Sequence, residues 1–456
     1  MSRSLQTPPR KKWFKILSWT LGSGIVLLVV AAVGVKAWIN SYLRSPEFRQ
    51  RLVTHSGEEM RAKVEIAPVQ FGGSEFFSDG LEALGGPEAK FSSVKIQNVR
   101  GEFSLPTVWR LLFGDKKFHV ENVDVQRVEA SFLDGRIPLE LPPYVKREHR
   151  GEVSRINVRE VRFDWRGGGI VGMGVIATPV EGGWQVTGHD GRVTQAGLPA
   201  MDLQSLRVVH KEPSLYIQEA KLREGKGEVT VTGEVTANEK VDLQVKAAGM
   251  SVTPLLPEDW RARLHGRLTG DARIVIPLKE GATDATVVTG HAELGEGVLE
   301  ALPILNKIAD FTKTDQFRRL TLNQVRGDFR NDTNGLRITN LVLESERLIS
   351  VKGQFTVANG QIDGTFEVGI TPGPLQWLPG SQEKVFVALH DGYAWTTLRI
   401  TGPVTSPKED LSPRLFAAAE AAVVQKVGDT ATQAVGTAVD TVKKGASGVF
   451  DLLFGP

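Results

Sequence analysis

Long stretches of this chain alternate apolar and polar residues with a period of two, which is typical of half-buried β-strands. The period-two segments include Val94–Val99, Phe118–Phe132, Val229–Val235, Val241–Lys246 and Ala272–Ile276. The clearest predicted hairpin covers Ile349–Ile370, with a tight turn at Asn359-Gly360. One face of this hairpin is apolar, formed by Ile349, Val351, Phe355, Val357, Ile362, Phe366, Val368 and Ile370. We therefore predict a mainly β fold, built as a mostly antiparallel sheet with one apolar face and one solvated face.

A few segments depart from this pattern and predict helices. Ser45 is a hydroxyl N-cap before Pro46 and Glu47, so a helix is expected over Pro46–Met60. Val298–Phe311 places leucines at helical spacing and predicts a second helix. The alanine-rich segment 411–456 predicts a helical tail that lies on a surface of the protein.

The N-terminal region carries the longest uncharged segment, Ile16–Val35. As a helix it would span roughly 30 Å, about the thickness of the hydrocarbon core of a bilayer. The sequence therefore predicts a basic tail over 1–15 and a membrane anchor over 16–38. The expected membrane-interface residues are Trp13, Trp19, Trp38 and Tyr42. A cleaved signal peptide is the alternative, but its apolar region would be shorter.

The remaining sequence predicts a large domain on one side of that membrane. We expect a helix plus β region over 39–140, a middle β region over 141–280 and a C-terminal β region over 281–410, followed by the tail. The net charge of +2 offers no basic excess for a nucleic-acid partner. Because the chain has no cysteine, disulfides and thiol chemistry are excluded in any compartment.

Motifs that carry chemistry are weak in this sequence. The G-x-G-x-x-G pattern at 167–172 is followed by a predicted strand rather than a helix, which favours a glycine-rich hairpin over a nucleotide site. His390-Asp391 resembles a fragment of a metal phosphohydrolase site, yet Asp391-Gly392 is also a typical hairpin turn. We predict no enzyme activity, no cofactor and no metal. A hydrolase using His390 and Asp391 is the alternative.

The order of several segments resembles the AsmA-like family of envelope proteins. At the N-terminal end these are the basic start, the anchor, the helix leading into Lys63–Ile66, and Phe118–Phe132. The C-terminal segments that carry the resemblance are Gly295–Leu302, Gly327–Arg330, Leu336–Ser345, Gly360–Gly364 and Ile400–Pro407. Together they cover about half of the chain.

The resemblance implies a long, curved β-sheet with an apolar groove, anchored in an inner membrane with the bulk of the chain in the periplasm. It implies a role in phospholipid transfer or outer-membrane assembly, with membrane phospholipids and other envelope proteins as partners and no catalytic residues. The expected groove lining is Ile349, Val351, Phe355, Val357, Ile362, Phe366 and Val368. A non-transporting envelope scaffold, whose own side chains fill the β core, is the alternative.

Overall fold

A computed structural model describes residues 41, 45–72, 74–103, 118–139, 151–237, 239–256, 258–278, 285–300, 315–345, 348–376, 380–404 and 407–427. The predicted anchor and its residues Trp13, Trp19, Trp38 and Tyr42 lie outside these ranges. Within them, every helix is too short or too polar to cross a bilayer.

The protein is mainly β, as predicted. The strands are β1 Ala62–Ile66, β2 Val69–Gly72, β3 Glu75–Gly85, β4 Ser93–Phe103, β5 Phe118–Ser131, β6 Gly151–Val153, β7 Ile156–Trp165, β8 Gly168–Val180, β9 Gly183–His189, β10 Arg192–Gln195, β11 Met201–Lys211, β12 Ser214–Glu224, β13 Gly227–Thr236, β14 Lys240–Ser251, β15 Leu264–Pro277, β16 Val287–Glu300, β17 Arg319–Leu322, β18 Gln324–Asp332, β19 Gly335–Ser345, β20 Ile349–Ala358, β21 Gln361–Ile370, β22 Ala388–His390, β23 Tyr393–Pro403 and β24 Lys408–Glu409. The period-two segments of the sequence fall within these strands, except that Phe132 lies one residue beyond β5.

The described helices are few and mostly short. They are α1 Pro46–Met60, α2 Glu258–Arg261, α3 Pro372–Leu375, α4 Ser381–Lys384 and α5 Leu411–Val427, with 3₁₀ turns at Thr253–Leu255 and Asp315–Arg318. Helix α1 has the predicted bounds, and the Ser45 hydroxyl accepts a hydrogen bond from the Phe48 backbone N–H at 3.2 Å. Helix α5 confirms the beginning of the predicted tail, and residues 428–456 lie outside the described ranges.

The chain divides into two compact units. The first comprises Met1–Arg166 and Gly174–Thr178. Its strands β2, β3, β4 and β5 pair in that order, β1 also pairs with β3, and all of these pairs are antiparallel. Strand β5 then pairs in parallel with β6 and β7, which makes the sheet mixed. Leu52, Val53 and Met60 of α1 pack on a core of Ala62, Val64, Ile66 and Ala83.

The second unit comprises Gly167–Met173 and Pro179–Pro456. Its pairs are all antiparallel from β9 through β11, β12, β13, β14, β15 and β16 to β18, and onward through β19, β20 and β21 to β23. Strands β17, β22 and β24 add short pairs to β16 and β23. Antiparallel pairing therefore dominates, as the sequence predicted.

The prediction of a helix over Val298–Phe311 is wrong for its first three residues. Val298–Glu300 is the end of β16, where Leu299 lies opposite Leu320 of β17. Leu320 and Leu322 are buried, and Leu299 packs against them. Burial between strands stabilises the extended conformation here and overrides the helical spacing of the leucines. Residues 301–311 lie outside the described ranges.

Candidate functional site: an apolar face across twelve strands

The predicted hairpin Ile349–Ile370 forms β20 and β21 in the expected register. Val351 lies opposite Val368, and Val357 lies opposite Ile362. Asn359 and Gly360 form the turn, with φ angles of 49° and 70°. Positive φ at both central residues gives the turn a twist that matches two paired strands. All seven predicted lining residues therefore share one face of the hairpin.

Burial divides these seven residues. Phe366 and Val368 are 7% and 5% exposed and belong to a closed core with Leu375, Val385, Phe386, Ala394 and Ala418. Three more of the seven, Ile349, Val351 and Phe355, are half-buried and pack against this core. Val357 and Ile362 are half-buried and do not belong to it. One end of the hairpin face is thus covered by the protein itself, and the other end is more open.

Helix α5 provides much of this cover. The Glu409 carboxylate accepts hydrogen bonds from the backbone N–H groups of Leu411 and Ser412 at 2.6 and 2.9 Å, which caps the first turn of the helix. Arg414 donates to the Thr396 hydroxyl at 3.2 Å and to the Thr397 carbonyl. These contacts tie α5 to β23, so that Leu411, Leu415 and Ala418 face the core.

The apolar face continues far beyond the hairpin as two adjacent rows that cross twelve strands of the second unit. The first row is Val186, Val208, Ile217, Gly233, Leu243, Ile274, Val288, Asn331, Leu336, Val357, Ile362 and Gly402. The second row is Gly188, Leu206, Ala220, Val231, Val245, Ala272, Gly290, Phe329, Ile338, Phe355, Gly364 and Ile400. Each residue lies directly opposite the next in an antiparallel pair, so the side chains of a row share one face.

Only Asn331 is polar among the residues of the two rows. Gly188, Val208, Ala220 and Gly364 are buried, Asn331 is exposed, and the others are half-buried. Half-burial is expected for side chains that pack sideways against their row neighbours while their tips stay accessible. Neighbouring strands lie about 4.8 Å apart, so a ligand that follows a row for about 15 Å contacts three to four strands.

Aromatic rings lie over glycines within the second row. A Cβ atom on Gly290 would lie 2.7 Å from the ring of Phe329 on the neighbouring strand and 2.1 Å from the Asp271 carbonyl oxygen. Gly364 is enclosed in the same way by the side chains of Phe355 and Phe366. Glycine is required at these positions because the neighbouring strand occupies the space that a side chain would need.

The opposite face of the same strands is polar. Arg273 on β15 donates to both carboxylate oxygens of Asp242 on β14, at 2.9 and 2.8 Å. Burial alone would raise the Asp242 pKa. The two hydrogen bonds from Arg273, together with Lys240, outweigh that effect and lower the pKa to about 2. Charged pairs of this kind favour contact of that face with water. The two apolar rows lie on the opposite face of the same strands.

A histidine network on the polar face was not predicted from the sequence. The His291 Nδ1 atom lies 2.7 Å from an Asp328 carboxylate oxygen, and Asn340 donates to the other oxygen at 2.6 Å. The His291 Nε2 atom lies 3.3 Å from Glu293. Hydrogen bonding to Asp328, then to Glu293, raises the His291 pKa, and hydrogen bonding to Asn340, then to His291, lowers the Asp328 pKa.

The sequence carried no signal for this network because its members come from three strands. His291, Glu293 and Asp328 lie at ordinary polar positions of their strands, and the register of β16 on β18 brings His291 opposite Asp328. Asn340 lies at a bulge in β19, with a φ angle of 52°. Both ring nitrogens of His291 face carboxylates, so the arrangement suits a charged, structural histidine. The described part of the chain contains no group of three or more His, Asp or Glu side chains arranged to hold a metal ion.

His390 ends β22, and Asp391 lies in the hairpin turn between β22 and β23, as the simpler interpretation predicted. Asp391 and Gly392 have φ angles of 53° and 80°. The His390 ring stacks on Trp395 at 5.0 Å between centroids, and its Nδ1 atom lies 3.1 Å from the exposed Asp391 carboxylate. In the glycine-rich segment at 167–172, Gly167 lies in a turn and the other residues begin β8, so a strand follows the turn rather than a helix.

The chain matches no family model, no curated protein and no solved structure. The candidate site is therefore defined by its geometry alone.

Proposed function

We propose that this chain is a membrane-anchored protein that binds the acyl chains of phospholipids on the apolar face of its second unit. Headgroups remain at the rim of that face, in water. The protein would act in phospholipid transfer or envelope assembly from an inner membrane, with the bulk of the chain in the periplasm. The predicted anchor over 16–38 and the resemblance to AsmA-like proteins motivate the membrane setting.

The observation that carries the proposal is the continuity of the two apolar rows. Their half-buried side chains offer a one-sided aliphatic surface, and a bound chain gains about 0.8 kcal/mol for each CH₂ group that it buries. An acyl chain reaches roughly 15 Å, half of the bilayer hydrocarbon core, so it would contact three to four strands. A charge in the rows should oppose this binding, since no acyl group can pair with it.

A scaffold without lipid is the second candidate function. The core beneath α5 favours the scaffold, because other side chains of the protein already cover Phe366 and Val368. In that case the rest of the apolar face would be covered in the same way, or by another envelope protein.

The decisive experiment compares charges on the two faces of the same strand. Val245 of β14 lies in the second row, and its neighbour Gln244 is exposed on the polar face. The full-length chain is purified in mild detergent as wild type, Val245→Asp and Gln244→Asp, and the extracted lipids are quantified by mass spectrometry. We expect Val245→Asp to lower the bound phospholipid several-fold and Gln244→Asp to leave it unchanged.

The design separates lipid on the apolar face from lipid around the anchor, because the anchor is the same in every variant. A second pair, Val357→Asp and Thr356→Asp on β20, repeats the comparison at a distant strand in case Val245→Asp fails to fold. Thermal unfolding midpoints confirm that the compared proteins are folded. Equal lipid content in the folded members of both pairs would reject lipid binding on this face and favour the scaffold.

A further inference from the structure

Asn331 is the single polar side chain in two rows that are otherwise apolar across twelve strands. It lies on β18, directly opposite Val288 on one side and Leu336 on the other. A polar residue in such a surface is more informative than another apolar one. Its amide makes no hydrogen bond to any residue that the structure describes, so its donor and acceptor are available to a ligand.

The position of Asn331 is at the edge of the apolar face. The residue directly precedes Asp332, where β18 turns into β19. Val357 and Ile362 of the same row likewise flank the Asn359-Gly360 turn. In this part of the unit the first row therefore follows the hairpin ends, and the second row, with Phe329, lies one step further inside.

The chemistry at this edge suits a neutral hydrogen-bond acceptor. The nearest cation in sequence, Arg330, points to the opposite face and donates to Asp332 at 2.7 Å. A phosphate would need such a cation on the apolar side, whereas a carboxamide N–H matches an ester carbonyl. An ester carbonyl is the first polar atom that a phospholipid presents where its acyl chains end.

We propose that Asn331 positions the bound lipid by donating a hydrogen bond to an ester carbonyl of the glycerol backbone, while the acyl chains lie along the inner row. This inference rests on the proposed lipid binding. It adds a polar contact that fixes the position of the glycerol backbone at the edge of the apolar face. A single neutral hydrogen bond should give about a two- to tenfold preference for lipids that carry the acceptor.

The test uses two phosphatidylcholines with the same headgroup and chain length, one with ester linkages and one with ether linkages. The full-length protein is incubated with an equal mixture, repurified and extracted, and lipid bound in excess of the Val245→Asp variant is counted. We expect wild type to enrich the ester lipid about two- to tenfold, Asn331→Leu to bind both lipids equally, and the turn variant Asn334→Leu to behave as wild type.

Three other outcomes would overturn the inference. Wild type without ester preference, or Asn331→Leu with the preference intact, would reject the contact while leaving lipid binding in place. No excess lipid of either kind in wild type would reject the proposed function itself. Asn331→Val serves as the second variant if leucine perturbs folding, since valine favours a strand.

Discussion

Arg273 and Asp242 form a two-pronged ion pair across β14 and β15, with N–O distances of 2.9 and 2.8 Å. The pair lies directly behind the apolar rows, on the face that water must cover. Asp242 is only 18% exposed, whereas Arg273 is 59% exposed. The carboxylate therefore depends on its partner more than the guanidinium does.

This pair predicts a stability loss in acid. Because the Asp242 pKa is lowered from 3.8 to about 2 by folding, its contribution is present above pH 3.8 and is lost as the pH falls through about 2. We expect Asp242→Asn to lower the free energy of unfolding by about 1–2 kcal/mol at pH 7, after allowance for solvent around Arg273. The difference should vanish near pH 2. Denaturant titrations at several pH values measure it, with Asp271→Asn on the neighbouring strand as control.

The His291 network predicts the opposite pH dependence. Its pKa is raised by folding, so its contribution is present below the unfolded value of 6.5 and is lost as the pH rises through the folded value. We expect His291→Gln to lower the free energy of unfolding by less than about 1 kcal/mol at pH 5.5, because the ring is partly exposed. The loss at pH 9 should be smaller still, because the wild-type ring is then neutral. Titration of the imidazole by NMR checks the direction, and a pKa below 6.5 would contradict it.

The cover provided by α5 predicts a cost for truncating its apolar side chains. Leu415 is half-buried against the core that contains Phe366 and Val368. Leu415→Ala should lower the free energy of unfolding by about 1–2 kcal/mol, below the value for a fully buried leucine. Glu420→Ala, at an exposed position of the same helix, should change it by less than about 0.5 kcal/mol. Equal effects would mean that α5 does not seal this core.

The glycine beneath Phe329 predicts a strong steric effect. Gly290→Ala places a Cβ atom 2.1 Å from the Asp271 carbonyl oxygen, so the strands must shift, at a cost of about 2 kcal/mol or more. Gly295 lies in the same strand, and a Cβ atom there would meet nothing closer than 3.9 Å. Gly295→Ala should be neutral or stabilising, since it restricts the unfolded chain. Thermal unfolding of both variants tests the contrast.

The sequence by itself determined the local structure of this protein. The period-two alternation predicts strands such as β13 and β14, and Asn359-Gly360 predicts the turn and therefore the register of β20 on β21. The cap at Ser45 likewise predicts where α1 begins. These features depend on residues that are close in sequence, so their pattern is visible without the fold.

Tertiary structure decided which of these local elements meet. Gly290 of β16 lies opposite Phe329 of β18. Residues 301–314, a 3₁₀ turn and β17 separate these two strands in sequence, so only the pairing of β16 with β18 fixes this register. The extended end of β16 and the cover of α5 over Phe366 follow from burial against remote segments. The alternation of a strand predicts which of its faces is apolar, but it does not predict which segment covers that face. The free energy of burial depends on partners that are remote in sequence and therefore absent from the local pattern.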